Sequence, residues 1–139
     1  MNFAARIAFL ALRFLLGIVL IVAGTGKISD PAAFATAIDH FQILPTILIP
    51  AAALTLPFLE IALGGMLITG WRLRCAAFST VILLGIYTTA VSAAVARHLQ
   101  LECDCFGPAI SAPHVLLRDV ALLAAASVLY GWTRLRARP

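Results

Sequence analysis

Long apolar runs alternate with short polar stretches along the whole chain. A membrane-crossing helix needs about 20 mostly apolar residues. Four stretches meet that requirement, at 3–23, 47–69, 75–96 and 115–132. The first has Arg6 ahead of an apolar stretch, as a signal peptide would. Arg13 interrupts that stretch and no small-x-small cleavage pattern follows, so the reading is a helix that stays in place. Between the first two spans, Ser29 or Asp30 can cap a helix with Pro31 at its first position. Phe34, Ile38 and Phe41 then recur at helical spacing until Leu44-Pro45. This predicts a short helix lying along the membrane interface, with an apolar loop tucked into the bundle as the alternative. Pro50 and Pro57 predict a kink in the second span. Gly64-Gly65, Gly85, and Ala121 with Ala125 offer small faces for close helix packing. The fold expected is an all-α integral membrane protein, a single domain of four transmembrane helices plus a short interfacial helix.

Composition removes the soluble alternatives. The hydrophobic share is 63% and the charged share 12% of 139 residues, against roughly half and a quarter in soluble domains. So short a chain cannot bury that much apolar surface in water, which excludes a soluble enzyme, a disordered segment and a secreted disulfide miniprotein. The net charge of +4 would suit nucleic acid if it were clustered, but the positive residues flank the apolar runs instead. In a membrane protein such charges set orientation. Both ends of the chain and the turn 70–74 share Arg6, Arg72, Arg74, Arg134, Arg136 and Arg138. The opposite side has Lys27, Arg97 and Arg118 together with Asp30, Asp39, Glu102, Asp104 and Asp119. Six against three places the termini in the cytoplasm and the segments 24–46 and 97–114 outside.

The candidate chemistry is in the second outer segment. Cys103 and Cys105 flank Asp104, ahead of Phe106-Gly107-Pro108, whereas Cys75 begins the third span at the opposite face. A core about 30 Å thick separates Cys75 from the pair, and a disulfide needs Cα atoms within about 7 Å. Cys75 is therefore read as a small packing residue. Two residues of extended chain span about 6.6 Å, so a Cys103–Cys105 bond needs a local bend. Exposed, strained bonds tend to be labile or catalytic, and a bond closing so short a loop adds little stability. Both points favour redox exchange on the oxidising side of the membrane. Glu102 and Asp104 argue against a resting thiolate, because carboxylates raise a thiol's pKa. Two other readings stay open. One is a zinc or copper site completed by His98 or His114, for which Cys-x-Cys is a weak spacing; the other is an inert pair.

Charges inside the membrane are costly and mark paired or functional positions. Depths counted from Arg6 and Arg72 put Arg13 and Glu60 at a similar level. They predict an Arg13–Glu60 pair, or Glu60 with another inward-reaching cation. Lys27, Arg118 and Asp119 lie near the outer surface, where they could line a polar pocket or simply snorkel.

Taken in order, these residues resemble the MauE family of methylamine-utilisation membrane proteins, relatives of DoxX. The likeness runs over nearly the whole chain, from Arg13 with Gly17, Gly24-x-x-Lys27, Asp30-Pro31 and Phe34…Ile38…Leu44-Pro45. It continues through Pro57-x-x-Glu60, Gly64, Cys103-x-Cys105-Phe106-Gly107 and Arg118-Asp119. Asp104 departs from it, standing where a small residue is expected. The resemblance implies a four-helix membrane bundle with a redox-associated role, helping to mature a disulfide-rich dehydrogenase subunit beside a thioredoxin-like partner. It makes Cys103 and Cys105 the redox pair and Arg13, Lys27, Glu60 and Arg118 the polar framework. Methylamine metabolism itself does not transfer with so broad a family.

The function expected is thiol–disulfide exchange at the outer, periplasmic face of a bacterial cytoplasmic membrane. Cys103 and Cys105 would react with a thioredoxin-like periplasmic partner through a mixed disulfide. Membrane lipid surrounds the chain, and neither a metal nor nucleic acid is expected. Turnover needs an electron carrier. A quinone near His40, Phe41 and Lys27 is the simplest, although no motif supports it. The alternatives are a non-enzymatic assembly factor or anchor, and a small-molecule or metal transporter using Glu60 and Arg13.

Overall fold

The computed structural model describes residues 2–98 and 112–136. The chain forms α1 (Phe3–Ser29), the short α2 (Pro31–His40), a 3-10 turn (Thr46–Leu48), α3 (Ile49–Thr69), α4 (Leu73–Ala96) and α5 (Ala112–Arg136). Among the described residues, α1, α3 with its leading turn, α4 and α5 are long and apolar enough to cross a membrane. Only about a third or less of each of these spans is buried within the protein. The remaining apolar side chains, such as Phe14, Ile18, Leu54, Phe58, Ile82 and Val128, point outward. A helix apolar on both its inner and outer faces requires a hydrocarbon solvent. The result is an all-α bundle of four membrane-length helices with one short amphipathic helix beside it.

The long helices alternate in direction. α1 packs along α3, α4 along α5, and the two pairs close a ring through α1–α5 and α3–α4 contacts. The α1–α3 seam is set by small residues. A Cβ at Gly64 would lie 2.6 Å from the Gly17 carbonyl oxygen, and one at Gly24 would lie 2.7 Å from that of Pro57. Gly65 and Gly85 face open space and Ala121 is exposed, so the expected small faces there are not the packing faces. On α4 and α5 it is Ala76, Ala77 and Ala126 that are buried.

Several boundaries differ from expectation, and α5 starts three residues earlier and ends four later than the expected 115–132. α1 runs six residues beyond Ala23, to Ser29. Gly24 does not end the helix; it lets the α3 backbone approach. Pro50 lies in the first turn of α3, where a missing N–H costs nothing, so of the two prolines only Pro57 is inside the helix. α3 ends at Gly70, whose positive φ of 79° suits glycine.

The two ends of the bundle differ. At the end holding the chain termini, Phe9 meets Trp132 with ring centroids 5.9 Å apart, and the Arg136 guanidinium lies 4.1 Å from the Phe9 ring. At the other end, Asp30 caps α2 by accepting from the Ala33 N–H at 3.0 Å. α2 packs on α3 and buries Phe34, while Asp39 and His40 stay exposed. Beneath it lies a cavity of about 220 Å³.

Candidate functional site

Glu60 is fully buried in the middle of α3. It shares a stripe with Ala53, Pro57, Gly64 and Leu67, the face that meets α1. Its Oε1 accepts from two donors: the Lys27 ammonium at 2.5 Å and the Tyr87 hydroxyl at 2.6 Å. Lys27, only 6% exposed, continues the buried stripe of α1 that includes Leu16, Leu20 and Ala23. Its Nζ is also 3.4 Å from the Tyr87 hydroxyl oxygen, 4.5 Å from the Tyr87 ring centroid and 5.1 Å from that of Phe34. Four elements thus converge on one charge pair, with the carboxylate from α3, the ammonium from α1, the phenol from α4 and a ring from α2. The second carboxylate oxygen, Oε2, is buried and accepts no hydrogen bond from the described residues. A buried acceptor left without a donor costs about 1–3 kcal/mol, more when charged.

Lys27, Glu60 and Tyr87 lie on the wall of the cavity. Its other polar contributors are Arg118 and Asp119, where the Arg118 Nη2 donates to Asp119 Oδ1 at 3.2 Å. The rest of the lining is hydrocarbon or aromatic, including Phe34, Phe41, Leu56 and Leu84. Such a site takes an apolar body and offers it a few polar contacts.

Of the anticipated framework, Lys27, Glu60, Arg118 and Asp119 therefore come together around one cavity, and Arg13 does not. The Arg13 Nη2 donates at 2.6 Å to the carbonyl oxygen of Ile68, near the C-terminus of α3. Its Nε has no partner among the described residues. The expected Arg13–Glu60 pair is thus replaced by Lys27–Glu60, the other inward-reaching cation. The depth count failed because α1 extends ten residues, Phe3 to Leu12, before Arg13 reaches the level of the α3 terminus. Glu60 lies eight residues deeper than Ile68, about 12 Å at 1.5 Å per residue.

Phe41 and Lys27 line the cavity as a quinone site near them requires, but His40 is exposed and is not part of the wall. Cys75 is exposed near the start of α4, so it is not the packing residue expected. Cys103 and Cys105, with Glu102 and Asp104, lie outside the described residues. The helices that flank them, α4 and α5, end and begin at the cavity end of the bundle, with exposed His98 and His114 at the two edges. Tyr87 escaped the sequence reading. Its signal is its position seven residues after Thr80 and four after Leu83, on the buried stripe of α4, where a phenol needs a partner.

Among curated proteins, the chain is similar to the methylamine utilization protein MauE of Paracoccus denitrificans, at 28% identity over 121 residues. The match takes in 84% of this chain and 64% of that protein, so the chain spans less than two thirds of its relative's length. No solved structure matches it significantly. The family model described as methylamine utilisation protein MauE matches residues 5–132, a range that contains Lys27, Glu60, Tyr87, Arg118 and Asp119, and the chain belongs to that family.

Proposed function

We propose that this chain is an accessory membrane protein that exchanges thiols and disulfides through Cys103 and Cys105. The reaction takes place with a thioredoxin-like partner on the outer face of a bacterial cytoplasmic membrane and supports the maturation of disulfide-containing proteins there. The process named for its relative, methylamine utilisation, is one setting for such maturation. The observation that carries this reading is positional. The segment bearing the two cysteines joins α4 to α5 at the same end of the bundle as α2, and beneath α2 lies the cavity whose wall includes Lys27, Glu60 and Tyr87. The charge distribution supports the same orientation, with six cationic residues at the other end. Exchange proceeds by attack of a thiolate on a disulfide sulfur through a mixed disulfide.

Trapping the thiols in living cells with a membrane-impermeant alkylating reagent tests this. In the wild type the pair is expected to resist labelling until reduced. Cys103→Ser and Cys105→Ser are each expected to accumulate a disulfide-linked adduct with a second protein. Free labelling of both cysteines with no adduct from either variant would overturn the exchange reading. In that case the anchor and transporter readings, under which the double serine variant keeps its function, take its place.

A further inference from the structure

The cavity under α2 has features that thiol exchange alone does not use. Most of its lining is hydrocarbon and aromatic, and Lys27, Glu60, Tyr87, Arg118 and Asp119 lie on its wall; the buried Glu60 Oε2 has no donor among the described residues. At about 220 Å³ it is smaller than the roughly 300–1,000 Å³ of pockets that enclose a drug-sized ligand. It suits a single substituted ring. Ile43, Leu44 and Ile86 both line the cavity and are exposed on the outside of the bundle. The cavity therefore opens sideways, between the segment after α2 and α4, among side chains that face hydrocarbon. A ligand entering by that route comes from the bilayer and can leave an apolar tail in it. Glu60 asks for a hydrogen-bond donor on the ring, and Phe34 and Tyr87 provide aromatic surface beside it.

We propose that this cavity holds the ring of a membrane quinone, with Glu60 Oε2 accepting a hydrogen bond from a hydroxyl of the reduced form. The proposed chemistry rests on the thiol-exchange reading; the binding site does not. Oxidation of Cys103 and Cys105 breaks two S–H bonds, forms one S–S bond and releases two electrons and two protons. The quinone takes up both electrons and both protons, and its two carbonyl groups become the hydroxyls of the quinol. A carboxylate accepts hydrogen bonds and donates none when ionised, so the site favours the hydroxyl-bearing quinol over the quinone. Preferential binding of the reduced form makes the bound quinone a stronger oxidant and directs electrons from the dithiol to the membrane.

The test is equilibrium binding of a decyl-tailed benzoquinol to the full chain, with both Cys103 and Cys105 changed to serine, in nanodiscs of quinone-free lipid. Saturable binding of one quinol per chain is expected. Glu60→Gln is expected to weaken it about tenfold, the loss of one charge-assisted hydrogen bond. Ala90→Phe, which places a ring in the cavity and leaves the Lys27–Glu60 pair intact, is expected to abolish it with helix content unchanged. The dimethyl ether of the same quinol, which has no donor, should bind about tenfold more weakly. Absence of saturable binding, equal affinity for the ether, or binding unaltered by Ala90→Phe overturns the proposal. Because the protein titrated lacks the two cysteines, failure of exchange in the trapping experiment leaves this result standing, and failure here leaves exchange standing.

Discussion

Glu60 and Lys27 are the residues whose replacement should cost the most. Removing one member of a buried ion pair strands the other in an apolar interior, at about 3–5 kcal/mol. Lys27→Met and Glu60→Leu are each expected to lower stability by that amount in reversible unfolding from mixed micelles. The double variant, which strands no charge and leaves only the Tyr87 hydroxyl without its acceptor, should recover most of the loss. A double variant no more stable than the worse single one would mean that the pair is not a closed electrostatic unit. Tyr87→Phe removes one hydrogen bond to a charged acceptor and should cost less, about 1.5–3 kcal/mol. The sequence marks Lys27 and Glu60 individually, since charges within apolar runs stand out. Their partnership was legible only as the alternative, Glu60 with another inward-reaching cation, because a charge's place in its own run does not fix the level at which two helices meet. The heptad spacing does carry the information. Lys27 is seven residues after Leu20 and Glu60 seven after Ala53, each on the stripe its helix turns toward the other.

The α1–α3 seam shows what one glycine can mean at the scale of an element. The expected first span stops at Ala23, just ahead of Gly24 and Gly26, and glycine is poor at sustaining helices. The structure continues the helix through both and uses Gly24 as a contact point, where a Cβ would meet Pro57 oxygen and Ile61 Cγ1 at 2.7 Å. Breaking and close packing leave the same residue in the sequence, and only the partner helix tells them apart. Gly64→Ala and Gly24→Ala should therefore each destabilise the bundle by about 1–3 kcal/mol, the usual cost of overpacking. Gly65→Ala, Gly85→Ala and Gly26→Ala meet open space and should stabilise it by about 0.5–1 kcal/mol through helix propensity. Thermal unfolding of the five variants in one detergent separates the two groups. Equal effects in both would mean that α1 and α3 do not approach through Gly17, Gly24 and Gly64. The existence of the four long helices was legible, because span length is dictated by the membrane and not by partners. The cap of α2 was legible too, since Asp30 and Pro31 act locally.

For the whole molecule, the orientation we propose makes a direct prediction. With the native cysteines replaced, Arg72→Cys should react with an impermeant reagent only after the cell is opened, and a cysteine at His40 should react in intact cells. The reverse pattern would invert the bundle and place Cys103 and Cys105 on the reducing side. Charge pairing sharpens the expected asymmetry, because Lys27 is matched by Glu60 and Arg118 by Asp119 at the cavity end. The same Lys27–Glu60 contact sets an order of events during synthesis. The two residues are 33 positions apart, and a ribosome adding about 5–20 residues per second needs about 2–7 s to supply the second after the first. During that interval α1 carries an uncompensated ammonium that can only reach for the membrane surface. The first helix therefore reaches its final depth only once α3 has been made and the pair can form.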